Sequence, residues 1–152
     1  MPMPWTYRHA GKEWRAFLDD AKERMSLDSD NMAYTAVDAV MQTFRRRLTA
    51  QQGLDFASVL PTVPRAIFVQ GWRVCEPPEP FADRTALTAE AKRVRVNHNL
   101  TPDNAIEAVA FALRRSVDPR GLDRVLERIG PQAQAYWHVD VDDPKELAQR
   151  II

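Results

Sequence analysis

The sequence predicts an all-α fold, and three observations carry that expectation. Apolar residues recur at steps of three and four, helix-start signals stand in front of those stripes, and few segments show the period of two that a strand needs. The expected architecture is a duplicated pair of three-helix units, about six main helices plus short extra helices, in a single domain over residues 1–152.

Trp14, Phe17, Leu18, Ala21 and Met25 fall on one stripe and predict the first helix. Asp28, Ser29 and Asp30 offer N-caps for a second, whose buried face is Val37, Val40, Met41, Phe44 and Leu48. Thr49 and Gln52 have capping-box spacing, which predicts a third helix that buries Phe56, Ala57 and Leu60 and ends at Pro61. A short helix is expected over Pro64 to Gln70, stopped by Gly71.

The prolines of residues 75–80 then forbid a helix interior and predict an extended linker. Beyond it Leu87, Ala91, Val94 and Val96 form a weaker stripe. Thr101-Pro102 is expected to open the next helix, with Ile106, Val109, Ala110, Leu113 and Val117 as its apolar face. Asp118-Pro119 begins another, faced by Leu122, Val125, Leu126 and Ile129. Asp143-Pro144-Lys145-Glu146 predicts a short terminal helix over 143–151.

The two halves, 12–72 and 81–138, also match each other. A shift of 69 residues lays Val40, Arg45, Arg46 and Ala66 on Val109, Arg114, Arg115 and Ala135. It also pairs the helix start Thr49-Ala50 with Asp118-Pro119, an agreement that crosses a helix boundary. Arg47-Leu48-Thr49 leading into a helix that closes with Leu60-Pro61, then Gly71-Trp72 and a second, weaker copy, resembles a bacterial family catalogued as domain of unknown function 2267. The resemblance covers roughly Trp14 to Trp137 and implies an all-α duplicated domain with no established reaction, cofactor or substrate. In this chain Gln51 and Gln52 stand where acids are usual, and Gly130-Pro131 takes the place of a second Leu-Pro.

Composition narrows the function classes. Lys plus Arg and Asp plus Glu both total 21, so no whole-molecule field draws the chain to nucleic acid or an anionic membrane, and any charged partner must use a local patch. The single cysteine, Cys75, excludes an intrachain disulfide and multi-cysteine metal sites, and fits a reducing, cytoplasmic setting. The longest apolar run, Phe56 to Val74, is broken by Pro61, Pro64, Arg65 and Arg73, so no membrane span is expected. Asn99-Leu100-Thr101 matches a glycosylation acceptor by coincidence of spacing.

No catalytic set and no metal site are expected. His9, His98 and His138 are far apart, and Cys75 has only Arg73 nearby to lower its pKa. His138, Asp140 and Asp142 alternate, which in an extended strand would put three ligands on one side, but acids before a helix start more often act as caps. The 5 glycines form no phosphate-cradling loop, so no nucleotide cofactor is expected.

The candidate binding residues are Arg45, Arg46, Arg114, Arg115 and Trp72. The arginines could grip phosphates if duplication placed them on one surface, although cations in a last helical turn also complement the helix dipole. Trp72 could anchor a partner or fill the core. The reading these observations support is a helical protein-interaction module without catalytic activity. Phosphate or nucleic-acid binding through the arginines is the first alternative, and an enzyme whose site assembles from residues distant in sequence is the second.

Overall fold

The first apolar stripe forms the helix Ala10–Arg24 (α2), preceded by a single turn, Trp5–Arg8 (α1). Phe17, Leu18 and Ala21 are buried along it, as the spacing requires. The next helix, Asp30–Arg45 (α3), starts at Ser29, whose side chain accepts from the Met32 amide. Helix Ala50–Ser58 (α4) carries the full capping box: Thr49 Oγ1 accepts from the Gln52 amide and Gln52 Oε1 accepts from the Thr49 amide.

The helix expected over Pro64 to Gln70 starts earlier than its sequence pattern indicates. Helix Thr62–Val69 (α5) takes Pro64 into its first turn, where a missing N–H removes no helical hydrogen bond. Gly71 follows it at φ +66°, a left-handed conformation suited to glycine. The proline-rich linker contains no helix, and the Glu79 amide donates to the Arg46 carbonyl, pinning the linker to the end of α3.

The structure is a computed structural model that describes residues 1–95 and 101–152. Val96, His98 and the first two residues of the Asn99-Leu100-Thr101 acceptor pattern lie outside the described residues. Four further α-helices follow the linker: Arg84–Lys92 (α6), Ala105–Ser116 (α7), Pro119–Ile129 (α8) and Pro131–Tyr136 (α9). Among the described residues there are nine α-helices, one 3₁₀ helix and no strand. The all-α expectation therefore holds.

Three local expectations need correcting. Helix α7 begins at Ala105, not at Thr101-Pro102. The Ala105 amide bonds to the Pro102 carbonyl in a tight turn, and the Asn104 side chain donates to the Arg24 carbonyl at the end of α2 (3.0 Å) in place of capping its own helix. Helix α9 has no counterpart in the sequence reading, because six residues with two buried positions show too little periodicity to register. The terminal helix shrinks to the 3₁₀ turn Pro144–Leu147, with Asp143 capping the Lys145 amide. None of its residues is fully buried and only Leu147 packs partly against the core, so this short element gains too little from packing to extend.

In the interior, α3 packs against α2, α5, α6 and α7, while α2 lies along α7 and α4 meets α8. An aromatic cluster joins these elements. Phe44 of α3, Phe56 of α4 and Tyr136 of α9 surround Trp137, which is completely buried, and Phe68 of α5 extends the cluster through Phe56. Ring separations of 4.8 to 5.5 Å, with edge-on and offset geometries, are those aromatic pairs favour.

The Tyr136 hydroxyl is enclosed in this cluster and donates to the Val40 carbonyl at 2.8 Å. Burial holds its pKa well above the ordinary 10.0. Above about pH 10 the unfolded chain releases this proton and the folded chain keeps it. The stability contributed by the neutral phenol is thus complete below that pH and falls by about 1.4 kcal/mol per pH unit above it. Tyr136→Phe should lose about 1 kcal/mol at neutral pH and show a shallower alkaline decline. Urea unfolding at pH 8 and pH 11 checks this, and identical declines in both proteins would refute it.

Candidate functional site

The expected arginines sit at the ends of α3 and α7, where the last carbonyls of neighbouring helices also converge. Arg45 is buried, and its Nη1 donates to the carbonyls of Phe68 (2.9 Å) and Gln70 (2.8 Å) at the end of α5. Arg114 does the same for α9: its Nε donates to the Trp137 carbonyl at 2.7 Å. Each guanidinium satisfies carbonyls that a helix end leaves without partners. Arg46 faces Glu90 at 3.5 Å, and Arg115 faces Asp20 at 3.1 Å. The four arginines thus have four separate sets of partners and do not meet around a common one.

Between them, Arg47 forms the most enclosed ion pair. Its guanidinium binds both Glu90 oxygens (2.7 and 2.8 Å) and the Thr43 carbonyl (2.7 Å), with 5% and 15% of the two side chains exposed. Burial alone would raise the Glu90 pKa, but Arg47 outweighs it and holds the carboxyl below its ordinary value.

Trp72 is half-buried and lies on Gly53 of α4, with its ring 5.5 Å from Phe68. A Cβ at Gly53 would overlap the six-membered part of the indole. Gly53→Ala should therefore cost about 1–3 kcal/mol, and most of that should disappear when Trp72→Leu is introduced with it. Chemical denaturation of the two single variants and the double variant checks this, and an unrelieved penalty would show that Trp72 is not the obstacle.

His138 Nε2 lies 2.8 Å from Asp140, both exposed, and no group of three metal-ligating side chains gathers among the described residues. Cys75 is a free thiol in the linker.

The arrangement richest in chemistry is a groove along the α2–α7 seam. Glu13, Ala16, Asp20 and Arg24 follow one another at steps of three and four on α2, and Glu107, Phe111 and Arg115 do so on α7. The helices run antiparallel, so Arg24 meets Glu107 (2.7 Å) while Asp20 meets Arg115. Arg24 also covers the Phe111 ring at 4.2 Å, and Arg115 approaches the same ring at 5.4 Å.

The C-terminal segment crosses this seam. The Arg150 amide donates to the Arg115 carbonyl at 2.7 Å, and the Arg150 guanidinium joins Arg115 on Asp20. Asp20 has 6% of its side chain exposed, and burial pushes its pKa up against the pull of the two arginines. Beside the segment lies a cavity of about 370 Å³, bordered by Trp5, Glu13, Ala16, Arg115, Arg150 and Ile151. Trp5 is half-exposed there and Ile151 almost wholly so.

The profile of the family of uncharacterised conserved proteins DUF2267 matches residues 14–135. The chain belongs to this family. No curated protein matches it in sequence. The family match runs from within α2 to within α9 and so includes most of both walls of the seam, whereas Trp5, Glu13 and the crossing segment 143–152 lie outside it. The DUF2267 description names no reaction or ligand, so any function must be argued from the groove itself.

Of the groove residues, sequence reasoning had singled out only Arg115. The signal that could have found the rest is the placing of Asp20 and Arg24 on α2 against Glu107 and Arg115 on α7, charges four and eight residues apart in the same acid-before-base order. Their pairing needs the helices to be antiparallel neighbours, which no local pattern states.

Proposed function

We propose that this DUF2267 chain is a protein-interaction module without catalytic activity, and that the α2–α7 groove is its binding surface. The observation that carries the reading is the open cavity beside Arg115 and Arg150, flanked by the outward-facing apolar side chains of Trp5 and Ile151. A concave site with an exposed aromatic anchor and a few fixed charges is the chemistry that recognises peptide segments. No helix among the described residues is long and apolar enough to cross a membrane, and a cytoplasmic location fits the lone cysteine.

We further read 12–72 and 81–138 as repeat halves within one domain. The support is a set of contacts that recur at the 69-residue shift. Arg45 with Phe68 corresponds to Arg114 with Trp137, and the caps Thr49 and Asp118 correspond. Helix α2 lies on α7 as α6 lies on α3, and the ion pairs of Arg115 with Asp20 and of Arg46 with Glu90 fall at those two seams.

A photoreactive residue in place of Ala16 tests the binding reading. The same protein should be crosslinked in independent preparations, and that product should be lost when Trp5→Glu is added. A survey that repeatedly recovers no specific protein would overturn it. Binding to a phosphate-rich polymer that weakens with salt and disappears in Arg46→Ala with Arg115→Ala would instead favour the phosphate alternative. That outcome requires Arg46 and Arg115 to leave Glu90 and Asp20.

A further inference from the structure

The segment that crosses the α2–α7 seam is held at few points. Leu147 packs partly against the core, the Arg150 amide bonds to the Arg115 carbonyl, and the Arg150 guanidinium reaches Asp20. Lys145, Glu146, Ala148, Gln149 and Ile151 are exposed, and the only regular structure is one 3₁₀ turn. Segments with so little buried apolar surface open at a small fraction of the global unfolding free energy.

What lies beneath is built differently. Asp20 is nearly enclosed in the middle of α2, and a carboxylate in that position needs cationic partners. Arg115 supplies one from α7, and the crossing segment supplies the other. The Arg115 carbonyl, near the end of α7, accepts a hydrogen bond from the segment's backbone. An arginine that donates from both its backbone amide and its guanidinium is therefore what this seat receives, and Ile152 follows it half-buried at the border of the cavity of about 370 Å³, which leaves volume the segment does not fill, while Ile151 stays exposed.

We propose that the groove is a recognition site for an extended peptide segment with an arginine followed by aliphatic residues, and that the chain's own Arg150-Ile151-Ile152 occupies it as a cis ligand. The proposal rests on the reading of the chain as an interaction module and adds the partner's chemistry. A segment supplied by another protein would place its arginine on Asp20, donate one backbone amide to the Arg115 carbonyl, and lay its aliphatic residues toward Trp5 and Ala16. The cis segment then sets a threshold, because a partner must compete with a ligand whose tether gives it an effective concentration on the order of millimolar.

The test uses the full chain carrying Arg150→Glu, which sets a carboxylate against Asp20 and releases the segment, with Arg150→Ala as a second, milder release. Circular dichroism identifies which variants keep the helical fold. The probe is a fluorescent peptide of residues 146–152, followed by anisotropy. Saturable binding to the released chain is expected, weaker by about ten-fold or more for the unaltered chain, whose cis segment competes. Replacing the peptide's arginine by alanine should abolish it. Absence of saturable binding to a folded release variant, or binding indifferent to the peptide's arginine, overturns the proposal. If the peptide fails while crosslinking at Ala16 still yields one reproducible partner, the arginine-aliphatic specificity is wrong and the module reading survives. If both fail, both are wrong.

Discussion

Trp137→Ala should remove about 3–5 kcal/mol of stability, the usual range for deleting a fully buried large aromatic side chain. Trp137 is completely enclosed and touches residues from both sides of the linker, with Phe44 at 5.3 Å, Phe56 at 5.5 Å and Tyr136 at 5.2 Å between ring centres. The neighbours are anchored on three different helices, so the void cannot close by shifting a single loop. With a urea dependence of about 2 kcal/mol per molar, the unfolding midpoint should fall by roughly 2 M. Trp137→Phe keeps a ring in place and should lose markedly less. A loss below about 1 kcal/mol for the alanine variant would mean that this cluster does not hold the domain together.

Arg47→Met should be nearly as damaging, by about 3 kcal/mol, because it leaves Glu90 largely buried with Arg46 at 3.5 Å and the more distant charge of Arg93 to answer it. Adding Glu90→Leu removes the stranded charge and should restore most of the loss, which makes the pair a double-mutant cycle with a large coupling. The pair also carries a pH signature. The Glu90 pKa is held below its ordinary 4.5 in the fold, so its contribution is complete above that pH and declines as pH falls through the depressed folded value. The acid-side decline in stability should accordingly be shallower in the doubly substituted protein than in the unaltered chain. Equal penalties for the single and double variants would show that Arg47 acts through its packed alkyl stem and not through its charge.

Much of the fold is legible in the sequence, since the information needed is local. A stripe such as Phe17, Leu18, Ala21 and Met25 specifies a helix and its buried face together, and Thr49 with Gln52 specifies a start to the residue. The short elements were less legible. Thr101-Pro102 has the chemistry of a helix start, yet the turn at Pro102 and the use of Asn104 at the end of α2 move the start to Ala105. That displacement depends on a contact between residues 80 positions apart.

The candidate site was legible only in fragments. The arginines at the ends of α3 and α7 stand out as charge runs, but sequence cannot say what each meets. Arg45 and Arg114 meet carbonyls of helix ends 23 residues downstream, and Arg115 meets an acid 95 residues upstream. Trp72 is equally ambiguous in sequence, and only its close approach to Gly53 places it.

The sequence by itself determined the all-α class, most helix starts and the apolar faces, because helical period, capping and proline exclusion act within a few residues along the chain. Only the tertiary structure decided the antiparallel approach of α2 and α7, the burial of Asp20 and the passage of Arg150 across the seam. Those depend on which apolar stripes close on one another, and burial between helices distant in the chain turns an ordinary surface charge into one that must find a partner.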